Sequence, residues 1–211
     1  MRFERGIKIL VISFIFAIFT FMGIGNVSAY SGTVGAKHCD ASKFSFNANS
    51  GSFFRNYVYM DTEEVVGRFS VQWVTGYTGG TSSNVKAYCI EKGKRISESK
   101  STYTLASNSD TEDGDFIHAN MTRAIAYGQQ YDTSKYNGCS NARVATSTLV
   151  QMINANKEKN GVDYWRTVSK TTIKSAVKSG TDGDAIADYF VKIRDKVLEH
   201  RTVPQLNALD S

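Results

Sequence analysis

Proline, cysteine and histidine are all scarce in this chain: among 211 residues there is one proline, Pro204, with three cysteines and three histidines. A single proline excludes a proline-rich spacer. Three cysteines are too few for the disulfide-dense scaffold that stabilises very small secreted domains. His38, His118 and His200 lie far apart, with no pair at helical ligand spacing, and none of the glycine runs opens a helix as a phosphate loop must. Neither a metal site nor a cofactor is therefore expected. Long apolar runs are missing as well once the first residues are passed, so no later segment is expected to span a membrane.

What is present at the start is a leader. Arg2, Arg5 and Lys8 precede an apolar run from Ile9 to Ile24, and Val27-Ser28-Ala29 then places small residues where a signal peptidase cuts. Residues 1–29 are expected to be a signal peptide, with Tyr30 as the new N-terminus and the protein secreted or held at the cell surface. Losing Arg2, Arg5, Lys8 and Glu4 lowers the formal charge from +5 to +3. So mild an excess does not argue for nucleic acid. The remaining length suits one domain, or two small ones, with a real core.

Three cysteines in an exported chain leave either one thiol over or a bond between molecules. The simplest partition joins Cys39 to Cys139 and leaves Cys89 as the remaining thiol, although spacing alone does not fix connectivity.

Residues 30–52 are polar and glycine-bearing, interrupted by Phe44 and Phe46, and read as a loose arm ending in a short strand. Phe53 to Met60 fits a strand. Val65 to Trp73 follows with Val65, Phe69, Val71 and Trp73 on one side. Gly76 to Asn84 is a loop by composition, and the strand-like run Asn84 to Ile90 leaves it. Glu91 to Arg95 reads as a solvated turn, and Ser101 to Ala106 as a returning strand. After an acidic linker from Asn108 to Asp115 the period changes. Asp115 can cap a helix carrying Ile117, Met121 and Ile125, with Gly128 as its stop. Asn141 can cap a second carrying Ala145, Leu149, Met152 and Ile153. A third runs from about Thr167 to Lys178, and Asp184 can cap the last, with the stripe Ile186, Phe190, Ile193 and Val197. A β-rich part over 53–106 and a helical part over 115–201 make one α+β unit over 53–204, with a tail at 205–211. Trp73, Phe69, Val71, Leu149, Ile186, Phe190 and Ile193 are its expected core.

Cys89 is the residue with chemistry to offer. In an extended run it shares a face with Val85 and Ala87, which points it inward. An inward thiol is either a small hydrophobe or a nucleophile sheltered from water so that a reactive acyl derivative survives. A cysteine hydrolase would need a base, His118 or His200, oriented by Asp115 or Asp184. No local signal supports that reading, because Cys89 lies on a strand rather than at the start of a helix.

Four segments in order carry a family likeness: Lys86-Ala87-Tyr88-Cys89-Ile90-Glu91, Thr122-Arg123-Ala124-Ile125-Ala126-Tyr127-Gly128, Ala145-Thr146-Ser147-Thr148-Leu149-Val150 and Glu199-His200-Arg201-Thr202-Val203-Pro204. Together they resemble the thioester domains of Gram-positive bacterial surface adhesins, over roughly Val65 to Pro204. The resemblance implies that Cys89 is the thiol of an internal Cys-Gln thioester. It also implies that an amine on a host surface or extracellular-matrix protein attacks the thioester to leave a covalent bond. Such chemistry is single-turnover, so the protein is not expected to be an enzyme. The sequence departs from the pattern where it matters: Ser147 and Gln151 stand where the family's helix motif has Gln and Trp, and Pro204-Gln205-Leu206 replaces Pro-Ser-Phe. Gln151 and Gln205 are the candidates for the acyl donor, with Gln129 and Gln130 behind them. No wall-sorting motif or C-terminal apolar segment occurs. The expectation is a relative that has lost the bond or is truncated.

Overall fold

The strand in the middle of the sheet comes from the segment read as a loose arm. In the computed structural model, which describes residues 31–47, 69–75, 84–90, 101–104 and 115–200, Ser31–His38 forms β1. It pairs antiparallel with Ser70–Thr75, β2, and with Ser101–Thr104, β4. Asn84–Ala87, β3, pairs with the other edge of β2, giving the order β3-β2-β1-β4. The arm assignment over 30–52 is therefore wrong for its first eight described residues. A central strand is held by backbone hydrogen bonds on both sides, and these do not depend on side chains. Small residues are also required there, since Gly35 lies opposite Trp73 and a Cβ at Gly35 would stand 2.2 Å from Trp73 Cε2.

Beyond β1 the chain stays tied down. Phe44 and Phe46 are buried, the Phe46 and Phe69 rings lie 6.2 Å apart, and Phe46 bridges Val177. The strand expected over Phe53 to Met60, the signal peptide, the turn after Cys89, the acidic linker up to its last residue, and Arg201 to Ser211 lie outside the described residues.

The helical part follows the expected change of period. Helix α1, Asp115–Tyr131, runs straight through Gly128, which was read as its stop. Gly128 is needed for close packing instead: a Cβ there would stand 2.1 Å from Thr146 Oγ1 on α2, Asn141–Ala155. Gly128→Ala should therefore destabilise by about 1–2 kcal/mol, the overpacking cost outweighing the better helix propensity of alanine. A lower urea midpoint at unchanged m-value is the expected readout, and an unchanged or higher midpoint would count against the close contact.

Ser140, not Asn141, caps α2, its Oγ accepting the Arg143 N–H at 3.1 Å. The helix ends at Asn156, whose positive φ of 46° asparagine tolerates well. A small hairpin follows, Glu158–Lys159 as β5 and Val162–Asp163 as β6, turned by Asn160 and Gly161 at positive φ. The helix expected over Thr167 to Lys178 is shorter, α4 at Lys170–Ala176, and a separate turn of helix, α3 at Tyr164–Thr167, precedes it. Buried Val168 is extended between them, and Ser169 caps the second. Helix α5, Gly183–Glu199, starts one residue before Asp184, so Asp184 lies in its first turn and Asp182 precedes it. Its stripe Ile186, Phe190, Ile193 and Val197 is buried as expected. No described helix is long and apolar enough to cross a membrane.

Helix α2 is the hub of this layer, packed by α1 and α5 and buried from Ala142 to Val150 without a break. Its two threonine hydroxyls are satisfied inside the helix, Thr146 Oγ1 donating to the Ala142 carbonyl at 2.7 Å and Thr148 Oγ1 to that of Val144 at 2.9 Å. Phe69, Val71, Leu149, Ile186, Phe190 and Ile193 are buried. Trp73 is only half-buried. Its ring lies over Gly35 and meets Tyr136 edge-on at 5.7 Å, against a loop rather than within the helical core.

Candidate functional site

The segment bearing Cys89 is fixed on one side by charge. Lys86 lies on β3 opposite Trp73, and its Nζ reaches the loop between α1 and α2, pairing with Asp132 Oδ2 at 2.8 Å and bonding the Asp132 carbonyl at 2.9 Å. The Asp132 side chain is completely buried. It also accepts from Ser134 N–H at 3.1 Å, Ser134 Oγ at 2.6 Å and Ser140 Oγ at 2.7 Å. Burial alone would raise its carboxyl, but the hydrogen bonds from Lys86, Ser134 and Ser140 together outweigh that and hold it below the ordinary value of 3.8.

One turn into α2, Arg143 is 1% exposed. Its guanidinium donates to the carbonyls of Tyr136 at 2.6 Å and Gly138 at 3.0 Å, and to that of Gln72 on β2. Burial lowers its pKa. Tyr88 lies near both charges. Its hydroxyl is buried with no hydrogen-bond partner among the described residues, and burial pushes the phenol up to about 12, with Arg143 opposing the rise and Asp132 adding to it. Further along α2, Asn154 Nδ2 donates to the Ile90 carbonyl at 2.6 Å.

These contacts set a register. Arg143 meets β2 at Gln72 and Asn154 meets the chain at Ile90, so one face of α2 runs alongside the segment that carries Cys89. Helical geometry places Ser147 on that face between them, with Gln151 at its margin. Ser147 is buried and Gln151 half-buried. Lys86, Tyr88 and Ile90 are the residues turned toward the helical layer. On β3 itself, alternation leaves Val85 and Ala87 on the side opposite Lys86. The thiol is half-buried and follows β3 rather than belonging to it.

Cys39 and Cys139 form a disulfide with Cα atoms 5.9 Å apart, which joins the residue after β1 to the α1–α2 loop. The histidines stand elsewhere. His118 is half-buried on α1. His200 Nδ1 is engaged by Tyr127 Oη at 2.6 Å, and Asp184 is exposed and paired with Lys174 at 2.9 Å. The Asp115 side chain and Gln205 lie outside the described residues, and Gln129 and Gln130 are exposed. Among the described residues no group of three or more His, Cys, Asp or Glu is arranged to hold a metal.

Sequence reasoning missed Lys86, Asp132, Arg143 and Asn154. One signal was available, since Arg143 is the one charged residue in the run that becomes α2, beside the small and apolar Ala142, Val144 and Ala145. Such a residue is buried only when its donors are satisfied. Comparison of the chain with family models, with curated proteins and with solved structures finds no match.

Proposed function

We propose that this chain is a secreted or surface-associated, adhesin-type binding protein of the thioester-domain kind, in which Cys89 remains a thiol. The observation that carries the proposal is the register of α2 against the Cys89 segment. Ser147, buried on α2, stands where the family's helix motif has Gln, and Gln151 lies half-buried at the margin of that face. A disulfide also suits an exported protein. Binding to a host surface or matrix protein would then be noncovalent, through the folded surface rather than through an amide.

The test is intact mass. Joining a Cys thiol to a Gln carboxamide expels ammonia, so a thioester would leave the mature protein about 17 Da light, and methylamine would add to the Gln. The expected result is the mass of the sequence less its leader and the two hydrogens of the disulfide, with no methylamine adduct. A further deficit that disappears in Cys89→Ala would overturn the thiol reading. Peptide mapping would then separate Gln151 from Gln205.

A further inference from the structure

Two Asn-Gly pairs occur in the chain, Asn137-Gly138 and Asn160-Gly161, and the fold treats them oppositely. The first lies in the α1–α2 loop and is pinned. Gly138 N–H donates to the Lys135 carbonyl at 2.9 Å, and the Gly138 carbonyl accepts from Arg143 Nη1 at 3.0 Å and Ser134 Oγ at 3.2 Å. The next residue, Cys139, is tied by the disulfide. The second pair is the turn of the β5–β6 hairpin, with Asn160 at φ 57° and Gly161 at φ 74°, and both residues are exposed. Among the described residues no hydrogen bond occupies the Gly161 N–H or the Asn160 carboxamide. A Cβ on Gly161 would meet nothing within 4 Å, so water reaches the turn freely. The hairpin has two residues in each strand and joins no larger sheet. Tyr164 N–H adds a bond to the Lys157 carbonyl at 2.7 Å, and the Lys159 ammonium lies 4.9 Å from the Tyr164 ring centre. So small a ribbon is marginal in water and opens far more readily than a loop braced by buried Arg143 and a disulfide.

We propose that Asn160 is a site of spontaneous succinimide formation that converts it to aspartate and isoaspartate, and that the fold protects Asn137 from the same reaction. When the turn opens, Gly161 N gives its proton to solvent and attacks Asn160 Cγ. The Cγ–Nδ2 bond breaks, and ammonia leaves with a proton from solvent. Glycine permits the attack because no side chain shields its nitrogen. Water then opens the ring, at Cγ to leave aspartate or at the main-chain carbonyl to leave isoaspartate. Its hydroxyl goes to the new carboxyl and its other proton to the nitrogen of Gly161. Either product puts a negative charge beside Lys159. Aspartate tolerates the left-handed turn, whereas isoaspartate lengthens the backbone of a two-residue turn by a methylene and unpairs Lys159 from Val162.

The inference is independent of the state of Cys89. The folded, oxidised parent is incubated in mildly alkaline buffer, digested at acid pH and mapped by mass spectrometry for the gain of about 1 Da that marks acid in place of amide. Conversion at Asn160 should run about tenfold or more ahead of Asn137 in the folded protein, and the two rates should come within about twofold in urea, where neither turn exists. Equal rates in the folded protein, or faster conversion at Asn137, would overturn the proposal. A ratio that stays near tenfold in urea would overturn it as well, because the difference would then lie in local sequence and not in the fold. A ring caught before hydrolysis leaves the chain about 17 Da light. That deficit should persist in Cys89→Ala and be absent from Asn160→Gln, which separates it from a thioester at Cys89.

Discussion

Replacing both Cys39 and Cys139 by serine is expected to lower the unfolding free energy by about 4 kcal/mol. The two residues are 100 apart in sequence, and cross-linking so long a stretch removes much of the unfolded chain's freedom. The chain-entropy estimate is about 4.7 kcal/mol for a loop of this length, before any adjustment for residual structure in the unfolded state. Domains of this kind have about 5–15 kcal/mol in all, so the double variant should remain folded in the cold while its thermal midpoint falls steeply. Urea titrations of the oxidised parent and the variant, followed by circular dichroism, give the difference directly. Both cysteines must be changed together, because a single serine leaves one partner able to pair with Cys89. A loss under about 1 kcal/mol would mean that the unfolded chain gains little freedom when the bond is removed, and the entropic account would not apply here.

The helical half of the fold was legible because its signal is carried by side chains. Ile186, Phe190, Ile193 and Val197 recur at helical spacing and are buried together, and the α+β division at the acidic linker follows from that change of period. Errors of detail came where one residue serves two purposes. Gly128 reads as a helix stop, yet its missing side chain admits Thr146. Val168 looks helical, yet it lies extended and buried between α3 and α4. The sheet was harder to see, because five of the eight residues of β1 are Ser, Gly, Thr or Ala, whose merit is that they let neighbouring groups approach. Only the ring of Trp73 explains why Gly35 belongs there.

Much of the candidate site was illegible for a different reason. Cys89 could be singled out by residue type, and its neighbours Tyr88 and Ile90 could be placed on a common face by alternation. What holds that face is a set of long-range polar contacts, Lys86 with Asp132 across 46 residues and Asn154 with Ile90 across 64. Nothing local marks such partners. Alternation also misled when its phase was chosen by the apolar residues Val85 and Ala87. Lys86 and Tyr88, the more polar pair, face inward because Asp132 meets the ammonium and Arg143 lies close to the phenol.

The ion pair leads to the second large effect, for Asp132→Ala. The carboxylate is completely buried while Lys86 retains 16% exposure. Removing it leaves an ammonium without its counter-charge in a half-buried place and strips Ser134 and Ser140 of their acceptor. Loss of one member of a buried pair costs about 3–5 kcal/mol, and the partial exposure of Lys86 sets the expectation near the lower end, about 3 kcal/mol. Lys86→Met in the Asp132→Ala background should recover part of the loss, since it removes the stranded charge. The same pair makes stability depend on pH in a definite direction. Because the folded Asp132 carboxyl titrates below the ordinary 3.8, its contribution is complete above that value. It is lost as pH falls through the lower, folded value, where the native state must take up a proton that weakens the contact with Lys86. The difference in unfolding free energy between parent and Asp132→Ala, measured by urea titration from pH 7 downward, should stay constant to about pH 5 and shrink below pH 4. A difference that grew on acidification, or that stayed flat to pH 2, would show that the carboxylate is not stabilised in the folded protein by Lys86, Ser134 and Ser140.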